Sequence, residues 1–310
     1  MTTTMISARL VEAARVAAHE GPVWFAGEKT LFFTSTPVRG SDWRPVVNID
    51  AVRLDGCPLR ELTGPVGAGR VRTVVYDANA ANGMCSDGTG GLLVCEQGNH
   101  RTQARITRLD RKTGMRETVV AAFDGRPINS PNDITVHPDG SIWFTDPSYG
   151  WYQGFRPPPA IADGVHRFDP ATGEHTLVTD GFDKPNGLAF SPDGSTLYVG
   201  DSGANHEPGS FDPMRPHAVT ALTVAGDRVV DVQWAHTVPG GFPDGLKTDS
   251  AGRVWFTTGD GLRVLSPEGH HLGDIPLPGA VNFTFVESDD VLLVTADTAV
   301  WAVILDHPLS

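Results

Sequence analysis

Pro185-Asn186-Gly187-Leu188-Ala189-Phe190-Ser191-Pro192-Asp193-Gly194-Ser195-Thr196-Leu197-Tyr198-Val199-Gly200-Asp201 reads as a polar starter, an apolar strand, a tight Asp-Gly turn and a second apolar strand ending in an acid. The chain repeats this phrase. Pro131-Asn132-Asp133-Ile134 runs through Asp139-Gly140 to Trp143-Phe144-Thr145-Asp146, and Pro243-Asp244-Gly245-Leu246 runs on to Val254-Trp255-Phe256-Thr257. Weaker copies begin at Glu20, Asn82 and Asn282. Short strands, frequent turns and a period of roughly 50 residues predict an all-β repeat architecture. Six copies, starting at 20, 82, 132, 186, 244 and 282, predict a six-bladed β-propeller with a central channel, one domain over residues 1–310.

The last blade is one strand short, with strands only at 282–286, 291–296 and 299–305. An N-terminal strand within 6–17 is expected to complete it, close the ring and remove exposed edges. In each copy the Asp-Gly turn sends the chain back antiparallel. The starter and the end of the second strand therefore share one face of the disc. Since the first strand of a blade lines the channel, the starters Glu20, Asn82, Asn132, Asn186, Asp244 and Asn282 form an inner ring at its mouth. Ser35, Glu96, Asp146, Asp201, Asp260 and Asp297 form a looser outer set. The segments 36–46, 97–105, 147–164 and 202–218 emerge on the same face. The third is aromatic and Pro-rich (Tyr149, Trp151, Tyr152, Pro157-Pro158-Pro159) and reads as a lid; a surface insert is the plainer alternative. Trp24, Trp143 and Trp255 read as packing between blades.

The inner ring carries two carboxylates and four amides, with no Cys or His. Hard cations take such oxygens, whereas zinc prefers His or Cys. Carboxylates crowded in a channel need a compensating positive charge. Asn-Gly and Asp-Gly are also ordinary turn dipeptides, and any one starter taken singly reads so. Most copies, however, carry their own turn signal further on, and the starter recurs at one structural position. That favours a cation site, with Ca2+ the expected ion and Mg2+, Mn2+ or Zn2+ as alternatives.

The formal net charge of −13 disfavours nucleic acid and anionic membranes as partners. No run of apolar residues is long enough to span a bilayer, and Met1-Thr2-Thr3-Thr4-Met5 lacks the features of a signal peptide. Cys57, Cys85 and Cys95 make no disulfide framework, so a cytoplasmic setting is expected. A closed ring needs no partner, so a monomer or weak homo-oligomer is expected. No Gly-X-Ser-X-Gly elbow, Cys-His pair or P-loop is present.

His19-Glu20-Gly21-Pro22-Val23-Trp24, Cys95-Glu96-Gln97-Gly98-Asn99-His100-Arg101, Asn129-Ser130-Pro131-Asn132-Asp133, Phe144-Thr145-Asp146-Pro147-Ser148-Tyr149-Gly150 and Pro185-Asn186-Gly187-Leu188-Ala189-Phe190 together resemble the SMP-30/gluconolactonase/luciferin-regenerating-enzyme family. The likeness runs over nearly the whole chain and is nearest to the bacterial and fungal gluconolactonase branch. It implies a divalent cation held by Glu20, Asn132, Asn186 and Asp244, and leaves Asn82 and Asn282 as substrate contacts. The implied reaction is lactone hydrolysis, with the cation polarising the carbonyl and Asp244 acting as general base or nucleophile. Coordination lowers the basicity of Asp244, which suits a modest base acting on a polarised water. His100, Arg101, Asp146, Tyr149, Asp201 and His206 are the further candidates for substrate contact. His100 stands where that branch usually has Arg, and the lid matches no sugar-lactone pocket. A phosphotriester or aryl-ester hydrolase on the same cation is the alternative reaction, and a propeller recruited to a biosynthetic pathway is another. A non-catalytic scaffold has no use for carboxylates in its channel mouth.

Overall fold

The computed structural model describes residues 4–206 and 210–309. Among these residues the strands form six four-stranded antiparallel sheets and two small two-stranded ones. From the channel outward, the first blade runs Val23–Phe25, Thr30–Thr34, Ile49–Arg53, Val71–Val75, and the second Ala81–Ser86, Leu92–Glu96, Arg105–Leu109, Arg116–Val120. The third runs Ile134–Val136, Ile142–Asp146, Gly164–Phe168, His175–Thr179, and the fourth Pro185–Phe190, Thr196–Asp201, Ala218–Ala225, Arg228–Thr237. The fifth runs Leu246–Thr248, Val254–Thr258, Gly261–Leu265, His271–Pro276. The sixth runs Asn282–Val286, Ser288–Ala296, Ala299–Leu305, and its outer strand is the N-terminal Ala8–Ala14, paired with Ala299–Leu305 from Ala8–Leu305 inward. The predicted six-bladed ring and its N-terminal closure are thus observed.

The second strands of the first five blades are buried at every residue. Each is covered on both faces by neighbouring blades, so they read as apolar runs rather than as the alternating pattern of a sheet with one wet face. Trp143 and Trp255 are fully buried between blades as expected, with their indole N–H groups bonded to Ser141 Oγ (2.9 Å) and Asp249 Oδ2 (2.8 Å). In the repeat's turn, Gly194 has φ 77° and donates its N–H to Ser191 O at 2.8 Å, a left-handed position that Gly takes without steric cost.

Threonines near the ends of second strands staple the inner strands. Thr145 Oγ1 donates to Asn186 O (2.8 Å) in the next blade, Thr295 Oγ1 to His19 O (2.6 Å), and Thr257 Oγ1 to Val281 O. Glycines do the complementary work. A Cβ at Gly187 would lie 2.2 Å from Asp244 O, and one at Gly83 would lie 2.4 Å from Asn132 O. The Gly after a starter is therefore not a turn residue. It admits the backbone of the next starter, which is what draws the ring tight.

Between the second and third blades lies a neutral histidine pair. His166 is fully buried, stacked on Phe144 (ring centroids 5.2 Å apart) and edge-on to Phe123. Its Nδ1 faces His175 Nε2 at 3.1 Å, and His175 Nδ1 donates to Ala122 O at 3.1 Å. Burial, then His175, pushes His166 down to about 3, and burial lowers His175 as well. Both are depressed, so the stability they contribute is complete above the unfolded value of about 6.5 and is lost as pH falls toward the folded values. Urea unfolding is expected to show stability declining by roughly 1.4 kcal/mol per pH unit below pH ~6 from His166, with a smaller share from His175. His166→Phe should flatten that slope; a slope unchanged by the substitution would place the acid sensitivity elsewhere.

Candidate active site at the channel mouth

The starters meet through neighbouring backbones. Gly83 N donates to Asn132 O (2.7 Å), and Thr145 joins Asn132 to Asn186 by accepting Asn132 N–H (2.9 Å) and donating to Asn186 O. Gly187 lies against Asp244 O, Gly245 against the Asn282 side chain, and Gly21 against Asn82 O. Asn282 Nδ2 donates to Glu20 Oε2 at 2.6 Å across 262 residues of sequence. All six predicted inner-ring residues are therefore brought together.

Their side-chain bonding is incomplete. Glu20 Oε2 takes Asn282 and the N–H of Gly21 (3.2 Å). Asn186 Nδ2 donates to Ser202 Oγ (3.1 Å), and the same side chain hydrogen-bonds Asp244. The amide oxygens of Asn82 and Asn132 are buried with no hydrogen-bond partner. Burial, then the charge of Asp244, pushes the Glu20 carboxyl up, against the pull of His19 and Asn282. Asp244 is also pushed up by burial, opposed by His19 and the Asn186 hydrogen bond, with Asp133 adding to the rise.

No three His, Cys, Asp or Glu side chains among the described residues converge as a metal-binding group. The ring's donors are two carboxylates that resist charging and amide oxygens that lack a donor. Orphaned buried oxygens beside such carboxylates fit a hard divalent cation, which would satisfy both at once.

The outer set behaves differently from expectation. Asp146 accepts the N–H groups of Asn129 (2.7 Å) and Ser130 (2.9 Å), while Asp201 accepts those of Asp183 and Lys184 (2.9 Å each) and Gly203 (3.0 Å). Each carboxylate thus grips the two residues before Pro131-Asn132 or Pro185-Asn186 and sets the entry of a ring residue into its strand. Both residues are buried, and burial raises both carboxyls, Asp146 to about 7. In this structure both carboxylates position ring residues through these backbone bonds. Glu96 is likewise taken up, by Asn79 (3.1 Å), Thr107 (3.0 Å), Arg105 and Arg116 (2.7 Å each). Asp260 is exposed, and Ser35 Oγ accepts Asn48 N–H at 2.9 Å.

The lid is built in. Arg156 is buried and donates to the carbonyls of Asn129 (3.0 Å) and Ile128 (3.1 Å), and His100 Nε2 meets Gly154 O at 3.2 Å. His100 therefore ties the 97–105 loop to the lid. Arg101 extends into solvent and pairs with Asp42 at 3.1 Å, on the rim of the top face. Tyr149–Tyr152 forms a single helical turn, with Tyr149 buried and Trp151 and Tyr152 about 40 % exposed. His206 packs edge-on against Tyr152 (4.2 Å between centroids), and its Nδ1 is buried without a partner.

Two pairings beside the ring went unread in the sequence. His19 Nδ1 bonds Asp297 Oδ1 at 2.7 Å; burial lowers the imidazole, but Asp297, Glu20 and Asp244 more than offset it, and its pKa rises. The residues are 278 apart, and no local pattern links them. Asp133, buried beside Asn132, takes its own next N–H, that of Ile134 (2.9 Å), and faces Lys247 Nζ at 3.5 Å. Its signal was present in the Asn-Asp dipeptide, where the first residue alone was read.

The family described as SMP-30/Gluconolactonase/LRE-like region matches residues 18–298. The chain belongs to this family. Within it, a gluconolactonase of Zymomonas mobilis is 30% identical over 296 residues, covering 92% of this chain and 78% of that protein. The solved gluconolactonase of Xanthomonas campestris superposes with a TM-score of 0.78 at 31% identity, covering 98% and 95% of the two chains. A calcium-binding regucalcin from Agrobacterium tumefaciens, at 17% identity and a TM-score of 0.67, shares the fold.

Proposed function

We propose that this chain hydrolyses lactones at the channel mouth, with Glu20, Asn132, Asn186 and Asp244 holding a divalent cation, Ca2+ first among the candidates. The observation that carries the reading is the ring itself: two buried carboxylates pushed toward protonation, beside unpartnered amide oxygens, at the open end of a channel. Likeness to gluconolactonases over nearly the whole chain supports the reaction class. A cation bound there would supply Lewis-acid polarisation of the ester carbonyl.

The chain's own groups do the rest. Asp244 accepts the proton of the attacking water as the water oxygen bonds to the carbonyl carbon, and returns it to the ring oxygen as the ring C–O bond breaks, leaving a hydroxy acid. Asn186 holds Asp244 in place, and Ser202 in turn accepts from Asn186. Asn282 orients Glu20, and Asp146 and Asp201 fix the strands that deliver Asn132 and Asn186. Asn82, with a free amide oxygen, is the ring residue left to contact substrate hydroxyls. A second reading, hydrolysis of aryl esters or phosphotriesters on the same ring, is favoured by the half-exposed Trp151 and Tyr152 on the lid.

A pH-indicator assay on glucono-1,5-lactone and a panel of alkyl and aryl lactones tests this, run after EDTA and again with Ca2+, Mg2+, Mn2+ or Zn2+ restored. The expected result is turnover that EDTA abolishes and one ion restores. Turnover unaffected by exhaustive chelation would remove the cation from the reading. No turnover of any lactone by cation-loaded protein, with turnover of aryl phosphotriesters, would establish the second reading instead.

A further inference from the structure

Tyr149 lies at the start of the lid's helical turn, 6 % exposed, and its hydroxyl is a buried polar atom with no hydrogen-bond partner. It does not point into apolar packing. Ser202 and Asn186 are within reach of it, and it feels the charge of Asp244. Neither meets the phenol in a hydrogen bond of normal geometry: Ser202 Oγ turns its O–H to Pro243 O and accepts Asn186 Nδ2. The phenol therefore stands at the inner ring with its O–H spare.

The lid holds it there. Gly150 N donates to Ser130 Oγ at 2.9 Å, and Ser148 Oγ to Asp163 Oδ2 at 2.8 Å. Arg156 packs so closely that a Cβ on Gly150 would lie 2.3 Å from its Cγ. Leaving a buried hydroxyl unpartnered is unfavourable, and a fold that fixes one so firmly keeps it for a partner that arrives later. A donor oriented before substrate binds needs no reorganisation during reaction.

We infer that Tyr149 is a catalytic residue, a preset hydrogen-bond donor whose phenolic O–H bonds an oxygen of the substrate's ester group as the ring opens. This rests on the lactone-hydrolase reading, and no proton leaves the phenol.

The test is Tyr149→Phe in the full chain, measured three ways. On a lactone that the parent opens, kcat should fall by about 30- to 300-fold with KM changed by less than about threefold, since the bond strengthens as charge develops on oxygen. Thermal unfolding should be unchanged or shifted upward, because the lost hydroxyl had no partner to lose. Calorimetric binding of δ-valerolactam, an acceptor that is not hydrolysed, should weaken by about 3- to 10-fold. A kcat within twofold of the parent overturns the inference, and so does a Tm lowered by several degrees, which would make the hydroxyl a structural bond. If the parent opens no lactone yet loses lactam affinity on substitution, the reaction reading fails and the donor role stands. If the parent neither opens lactones nor binds the lactam, both fall.

Discussion

Asp244→Asn is expected to lower kcat on a lactone substrate, at saturating cation, by about 10^3-fold while leaving the fold in place and weakening cation binding without abolishing it. Asn keeps the shape and one oxygen donor but cannot accept the proton of the attacking water. The backbone around the position does not depend on the carboxylate: Asp244 N donates to Thr257 O at 3.0 Å, and Asp244 O lies against Gly187. The substitution therefore separates base from scaffold. Removing one buried carboxylate also relieves the repulsion that raises Glu20, so the variant should be no less stable than the parent at neutral pH without added cation. Stopped-flow turnover together with calorimetric cation titration checks both halves. A variant that binds cation and turns over at the parental rate would show that Asp244 is not the base.

The largest effect on stability is expected from a single methyl group. Gly187→Ala would place a Cβ 2.2 Å from Asp244 O, 2.8 Å from Leu246 N and 2.9 Å from Leu246 Cβ. None of these is the far end of a flexible side chain. The fourth and fifth blades would have to separate at the axis, where the Thr staples and inner strands leave no slack. Overpacking of this kind costs about 3 kcal/mol or more, enough to abolish folding of a marginally stable domain. Urea unfolding with circular dichroism measures it. A loss below about 1 kcal/mol would mean that the ring tolerates expansion, and the glycines after the starters would need another explanation.

The repeat made most of this architecture legible. Starter, strand, turn and strand recur with enough regularity that the blades, the shared face of the starters and the missing strand of the last blade could all be placed from residue order. The inner ring followed because one structural position per repeat is a statement about symmetry. What stayed hidden lies off that symmetry. Asp146 and Asp201 occupy positions that look open to a ligand, but burial turns their carboxylates onto backbone N–H groups just before the first strand of their own blade. That choice depends on three-dimensional cover. The His19–Asp297 pair joins the two ends of the chain, and the histidine pair His166–His175 spans adjacent outer strands of the third blade, away from the repeated polar positions. The Asn-Gly dipeptides looked like turns because glycine serves both turns and close approach, and only the position of the neighbouring blade tells them apart.

The clasp in the sixth blade has a mechanical meaning. Ala8 faces Leu305 at the outermost rung of the antiparallel pair, and Asp306 N donates to Ser7 O at 3.1 Å just beyond it. The two strands of the clasp therefore end side by side at the same end of the seam, and beyond it Thr4 and Ile6 are bonded to Asp274 of the fifth blade (2.9 Å each) while Leu309 O accepts from Arg253. Tension drawn between them strips these outer ties first and then opens the rungs in succession, as in a zip, rather than shearing all rungs together. Heat must loosen a whole ring of blades that support one another, whereas a pull at the ends meets one pair of residues at a time.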